Sequence, residues 1–401
     1  MAVIGVIWYA EAWIYPDDSQ TVLSVTRPYI VGLRAAFYLT ALLTAVSYGS
    51  APVLQFAARH PLLVFLAGLS WASLLWAPDP ASSVDNLLNF SLLIVTCAYL
   101  CRMPKSRLVT TMWMTMAAIL LVSAFLVALV PQYGLMAGMH SGQFRGTFSH
   151  KSNFGLFLAI FLCFTIGHHR FIEAPAILKC ALSILAAFLV VGSGSATSLL
   201  MCAFYMAPAV VLGRSFRLLR STWARGGLVI CVALAVILLS FSLSPEVLAG
   251  LDRDPTMTGR TAVWAFFLDR AGDAPWVGHG AYSIYADNDL IMLAGQALFF
   301  GARSPHNGYI ELYYNLGIIG LAGFVVMMAG YVTMSGLAYV QTEDDGWKFA
   351  FLLACVLLAY TVVESYQSGL NAGLPFLCLL TSIPSRGSWI ARKGRSLHGT
   401  G

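Results

Sequence analysis

The chain has 401 residues, of which 59% are hydrophobic and only 10% charged, against roughly 25% charged in an ordinary soluble protein; its mean hydropathy is +0.76. A soluble fold this apolar would lack the polar residues to cover its surface, so that class is excluded. The formal charge of +5 would suggest nucleic acid in a soluble domain, but in a membrane chain the placement of Lys and Arg carries the information, and no nucleic-acid partner is expected.

Apolar runs fall at about 1–15, 29–49, 61–77, 86–101, 108–131, 152–168, 176–195, 196–213, 227–243, 307–340, 349–366 and 370–385. They are unbroken, as in Ala117 to Val130 and Leu228 to Leu239, whereas a transmembrane barrel would alternate apolar and polar positions. The expected fold is an all-α polytopic membrane protein with about 12 transmembrane helices and one large outer loop containing short helices. Its organisation reads as a bundle over 1–243, a loop region over 244–306, and a second bundle with a basic tail over 307–401. The first run carries Glu11 and lacks a basic leader, so it reads as a weak span and not a signal peptide.

With both termini cytoplasmic, all but eight of the 23 Lys and Arg lie inside, in clusters such as Arg102-Lys105-Arg107, Arg214-Arg217-Arg220-Arg225 and Arg386-Arg392-Lys393-Arg395. Glu343-Asp344-Asp345 is an acidic run on that same side. The eight outer basic residues are Arg27, Arg34, Arg145, Lys151, Arg253, Arg260, Arg270 and Arg303, most of them in the segments Pro131 to Lys151 and Ser244 to Arg303. The longer segment suggests helices over Thr258 to Arg270, with Val263, Trp264 and Phe267 on one side, and over Asp289 to Phe300. The eight cysteines all fall in or beside apolar runs and read as packing residues without disulfides.

Three short segments bring basic groups to helix beginnings: Phe144 to Asn153, Thr258-Gly259-Arg260, and Arg303-Ser304-Pro305-His306-Asn307. Ser304 before Pro305 reads as a helix cap, as do Thr258 and one of Ser149 or Ser152. Free N–H groups and the positive end of a helix dipole attract phosphate, and arginine adds paired donors, so the outer face offers a diphosphate site. The bland reading of an outer arginine is snorkelling to headgroups. His306, followed by Asn307, Tyr309 and Glu311, is too polar for routine membrane packing, whereas His150 and His279 read as interfacial or loop histidines. Asp252-Arg253-Asp254 and Asp287-Asn288-Asp289 have a metal-binding form but no strand context, and read as solvated turns. Gly192-Ser193-Gly194-Ser195 reads as a tight turn between spans, and Gly317, Gly320 and Gly323 as close helix packing.

Taken together, FRGTFSHKSNFG, TGRTAVW followed by PWVGHGAYSIY, SPHNGYIELYYNLGIIG and SWASLLWAPDPASSV resemble the O-antigen ligase and O-antigen polymerase superfamily. The form SHKSNFG leans toward its exopolysaccharide polymerases of the succinoglycan type, although those often run lysine directly into asparagine where Ser152 stands here. The resemblance implies a GT-C-like glycosyltransferase of the bacterial inner membrane, acting on undecaprenyl-diphosphate-linked glycans at the periplasmic face. It carries the family's functional residues onto Arg145, Arg260 and His306.

The expected reaction is metal-independent and inverting, with no cofactor. Arg145 and Arg260 neutralise the diphosphate, His306 takes the acceptor proton, and Lys151, Arg303, Asn307 and Glu311 are further substrate contacts. The acceptor is another lipid-linked repeat in a polymerase, or lipid A core in a ligase; membrane lipids and other polysaccharide-assembly proteins are the remaining expected partners. The alternative from another class is a lipid-linked oligosaccharide flippase or transporter, which should show ionisable residues along the middle of its spans.

Overall fold

The computed structural model describes residues 28–137, 140–148, 150–242, 258–298 and 304–363. Its helices are α1 (Pro28–Tyr48), α2 (Ala51–Arg59), α3 (Pro61–Ala72), α4 (Pro80–Leu100), α5 (Lys105–Leu129), α6 (Lys151–Gly167), α7 (Ala176–Gly192), α8 (Ala196–Leu218), α9 (Thr222–Ser242), α10 (Thr258–Ala271), α11 (Asn288–Leu298), α12 (Gly308–Thr342) and α13 (Asp345–Val363). The only extended pairing among the described residues is an isolated antiparallel bridge between Leu135 and Phe144. Proline sets several starts, because its fixed φ suits a first turn that needs no N–H: Pro61 opens α3, Pro80 opens α4, and Pro104 and Pro175 precede α5 and α7.

The all-α polytopic membrane class is what the fold displays. Helices occupy ten of the twelve apolar runs, while 1–15 and 370–385 lie outside the described residues. By length and composition six helices suffice to cross a membrane, or seven if α1 and α2, bent by 101°, form one span. The count of twelve is therefore not reached within the described residues. Three further apolar helices are shorter, Pro61–Leu75, Lys151–Gly167 and Ala176–Gly192.

Hydropathy alone does not separate the helices at the centre of the bundle from those facing lipid, since both are apolar all round. Packing does. In α13 the most apolar stretch is 83% buried, against 22% in α8 and in α9, where Val210, Val211, Ile230, Leu234 and Leu238 stand exposed. Helix α6 is a second central pillar, with Phe154, Leu158, Phe161 and Phe164 inaccessible. Gly155 lets it approach the α8 start, where an added Cβ would lie 2.5 Å from Ser198 Oγ.

One end of the bundle is ionic. Lys105 at the start of α5 pairs with Asp344 at 3.6 Å, Arg170 just after α6 with Asp345 at 3.5 Å, and Arg225 at the start of α9 with Glu343 at 2.6 Å. The acidic run Glu343-Asp344-Asp345 thus pairs with three basic residues of that end. At the other end lie the close of α5, the starts of α6, α8 and α12, and the α7–α8 turn, where Ser195 Oγ accepts from Ser198 N–H and Gly194 has φ +59. Gly192 to Ser195 is a tight turn, as expected.

Helix α12 is broken near this second end. Gly317 has φ 64 and ψ −167, a conformation closed to other residues, so the glycine that reads as a packing residue is a hinge in the chain path. The break interrupts the helical ladder, and the segment 275–280 repairs it. Ile318 and Ile319 N–H donate to the carbonyls of Pro275 and Trp276 (2.8 and 3.2 Å), while Tyr314 and Asn315 carbonyls accept from His279 and Gly280 N–H (both 2.9 Å). Non-helical backbone at membrane depth survives only when protein satisfies it in this way. Of the other two glycines, Gly323 does pack closely, a Cβ there lying 3.1 Å from Phe65 of α3.

Candidate active site

Two groups of side chains form at the non-ionic end. The first is built on the segment between α5 and α6. Pro131–Gly134 makes a single helical turn, and the Gly134 carbonyl accepts from both Arg145 and Gly146 N–H (2.9 and 3.0 Å). Phe144 N–H donates to Gly192 O at 3.0 Å and anchors the segment on the α7–α8 turn. The Arg145 side chain is 2% exposed, and its Nε donates to Tyr133 O at 3.1 Å. A guanidinium carries a large desolvation cost at such a position, so Arg145 is not a headgroup contact.

Helix α6 starts beside it. His150 is the cap, its Nδ1 accepting from Ser152 N–H at 3.2 Å; Ser152 therefore donates its backbone N–H and is not the cap, and Ser149 lies outside the described residues. Lys151 follows as the first helical residue, half-buried. The His140 and His150 rings meet edge to face at 5.7 Å.

The second group surrounds the α12 start. The cap is Asn307, whose Oδ1 accepts from Tyr309 and Ile310 N–H (3.0 and 3.3 Å); the sequence expectation of a Ser304 cap with Pro305 as first helical residue is corrected, since the helix begins three residues later. Ser304 Oγ instead accepts from His306 N–H at 3.4 Å. His306 is exposed and has φ 47, an uncommon region for a non-glycine residue. Arg260 stands in the first turn of α10, whose first residue is Thr258. One turn later Trp264 Nε1 donates to Pro305 O at 2.8 Å, and Val263 and Phe267 bury against Ile310 and Tyr314. The loop helices expected around Thr258 to Arg270 and Asp289 to Phe300 are α10 and α11. Arg303 lies outside the described residues.

Below His306, Glu311 and Asn315 share one face of α12 at a spacing of four, 0% and 1% exposed. Asn315 Oδ1 accepts from Ile284 N–H at 3.1 Å. Tyr282 has φ 62; burial, and then the charge of Glu311, push its phenol pKa up. Sequence reading did not single out Tyr282, Trp264 as a hydrogen-bond donor, or Asn315. The available signal was the phrase PWVGHGAYSIY, whose role as a backbone brace depends on a break that sequence spacing does not reveal. His279 is a structural loop residue, stacked on Tyr314 at 4.4 Å with Nε2 2.9 Å from Arg270 O.

The arrangement thus unites Arg260's helix with the His306 turn, and places Arg145 and Lys151 in a separate segment at the same end. None of the seven cysteines among the described residues forms a disulfide. Asp287 Oδ1 accepts from Leu290 N–H at 3.0 Å and caps α11, so the second Asp-x-Asp pair is a helix start.

A multi-span helical protein with arginines and a histidine gathered at helix starts on one end is the class that fold and site define. Residues 181–325 match the family described as O-antigen ligase. The chain is similar to an O-antigen ligase of Pseudomonas aeruginosa, 26% identical over 382 residues that cover 90% of this chain and 86% of that protein. It is also similar to the exopolysaccharide production protein ExoQ of Rhizobium meliloti, 25% identical over 262 residues, which are 62% of this chain and 59% of that protein. These similarities agree with the O-antigen ligase and polymerase superfamily that the motifs resemble, its exopolysaccharide branch included.

Proposed function

We propose that the chain is a bacterial inner-membrane glycosyltransferase whose active site is the Arg145 and His306 end, facing the periplasm. The observation that carries this reading is the collection of a buried arginine, a second helix-starting arginine and a strained histidine at one end, opposite the ionic cluster, which this reading puts on the cytoplasmic side. The donor is a glycan on undecaprenyl diphosphate. An acceptor hydroxyl attacks the anomeric carbon with inversion, the carbon–oxygen bond to the diphosphate breaks, and the acceptor proton passes to His306. Arg145 and Arg260 stabilise the charge that grows on the leaving diphosphate; Lys151, Arg303, Asn307 and Glu311 hold the substrates. No metal or cofactor takes part.

The acceptor is a second lipid-linked repeat, so that the reaction lengthens a surface polysaccharide. A ligase using lipid A core as acceptor is the second reading, favoured by the longer span of similarity to the Pseudomonas aeruginosa protein. A flippase would need titratable groups along its spans; Glu311 is buried near the α12 start, and the ionic cluster lies at the far end.

The test is single-turnover formation of product and free undecaprenyl diphosphate from purified donor, with each acceptor in turn. Arg145→Ala and Arg260→Ala are expected to weaken donor binding and turnover together. His306→Ala is expected to lower turnover by about 10² to 10⁴ with donor affinity nearly unchanged. Turnover within twofold of wild type in all three variants would overturn the reading.

A further inference from the structure

The peptide plane joining Pro305 to His306 is held at both polar ends. Its carbonyl accepts the Trp264 indole N–H at 2.8 Å, and its N–H donates to Ser304 Oγ at 3.4 Å. The next side chain, Asn307, is itself fixed as the cap of α12. His306 therefore hangs between two immobilised backbone units, at a φ of 47 that an unrestrained histidine would leave for the ordinary region. Trp264 belongs to α10, one turn after Arg260 and between Val263 and Phe267, neighbours buried against Ile310 and Tyr314 of α12.

We infer that Trp264 is a positioning residue, whose hydrogen bond to Pro305 locks the His306 backbone and sets His306 in register with Arg260 for transfer. The inference rests on the proposed transfer reaction. It follows from the geometry that one indole joins the element bearing the diphosphate-binding arginine to the turn bearing the base. Loss of that bond frees the His306 turn to relax, and the imidazole then spends less time aimed at the acceptor hydroxyl. A misplacement of about 1 Å at a reacting group is enough to cost about 10²-fold in rate.

The experiment is a double-mutant cycle on purified protein in detergent, read as single-turnover rate and donor Kd. Trp264→Phe keeps an aromatic ring and removes the N–H. Its expected result is a rate at least tenfold lower with donor Kd within twofold of wild type. In the His306→Ala background the same change should have no further effect, because Trp264 acts through that histidine. Trp264→His, which restores a ring N–H, should recover part of the rate. A wild-type rate in Trp264→Phe, or a further loss in the His306→Ala background equal to that in the wild type, would overturn the inference. If Trp264→Phe does not yield monodisperse protein, Ser304→Ala releases the other end of the same plane and is put through the same cycle with the same two outcomes. Failure of the underlying reading is separately visible as a wild-type rate in His306→Ala and Arg260→Ala themselves.

Discussion

The Trp76 indole N–H donates to the Gly278 carbonyl at 3.1 Å across 202 positions of sequence. It ties the turn between α3 and α4 to the loop that mends α12. Two more bonds join the same segments: Ser83 Oγ donates to Ala281 O at 2.7 Å, and Ala281 N–H to Ser73 Oγ at 2.8 Å. The motifs SWASLLWAPDPASSV and PWVGHGAYSIY, far apart in the chain, are thus two halves of one contact. That contact supports the break at Gly317, and the break lies about three turns along the chain from His306.

Removing one of these donors leaves a buried carbonyl unsatisfied. Ser83 is fully buried, so Ser83→Ala should cost about 1–3 kcal/mol. Trp76 is 38% exposed and water can replace its N–H, so Trp76→Phe should cost about 1 kcal/mol or less. Thermal unfolding in detergent checks the order of the two; a larger effect for Trp76→Phe would mean that ring packing, and not the hydrogen bond, holds the loop.

Gly317→Ala should be the most damaging of the conservative glycine changes. Its Cβ would lie 2.3 Å from the Trp276 backbone, and its φ of 64 is strained for any side chain. Relief requires the 275–280 segment to withdraw, which strands four backbone hydrogen bonds. Gly330→Ala on the same helix meets nothing within 4 Å and should be neutral or stabilising by about 0.5–1 kcal/mol. Comparable melting temperatures for the two variants would contradict the account of the break.

That the apolar runs are helices was legible in the sequence, because long apolar runs have one solution in lipid, and ten of the twelve runs are helical among the described residues. How many of them cross was not, since several are too short or bent to span alone. The loop helices were legible too, since Val263, Trp264 and Phe267 mark one face of α10. The caps were misassigned because serine before proline has the local chemistry of a cap, whereas the structure gives the α12 N–H groups to Asn307 and those of α6 to His150. The break at Gly317 was hidden for a different reason. Its hydrogen-bond partners lie in another segment, and no local pattern records a bond made across some forty residues.

At the ionic end, Glu343 closes α12 with φ 55 while its carboxylate pairs with Arg225. The pair is partly solvated, with Glu343 55% exposed, so it contributes about 0–1 kcal/mol. The left-handed backbone costs a comparable amount in a residue with a Cβ. Glu343→Gly should therefore be neutral or stabilising by up to about 1 kcal/mol, because glycine suits this capping position. Glu343→Ala loses the pair and keeps the strain, and should be the less stable of the two. Unfolding measurements that rank alanine above glycine would show that the ion pair outweighs the backbone term.

Activity should survive chelation, and Asp287 is the residue on which that expectation turns. Its carboxylate accepts from Leu290 N–H, the bond of a helix cap, and amide or carboxylate oxygen serves there equally well. Asp287→Asn should therefore keep both stability and transfer rate, while Asp287→Ala loses about 1 kcal/mol of stability. A metal ligand would behave in the opposite way, because replacing a carboxylate by an amide removes the charge that holds a hard cation. The measurement is product formation from the lipid-linked donor in excess EDTA, for wild type and both variants. Activity lost to EDTA and restored by Mg²⁺ or Mn²⁺, together with an inactive but stable Asp287→Asn, would replace the arginine-based neutralisation of the diphosphate with a metal-based one.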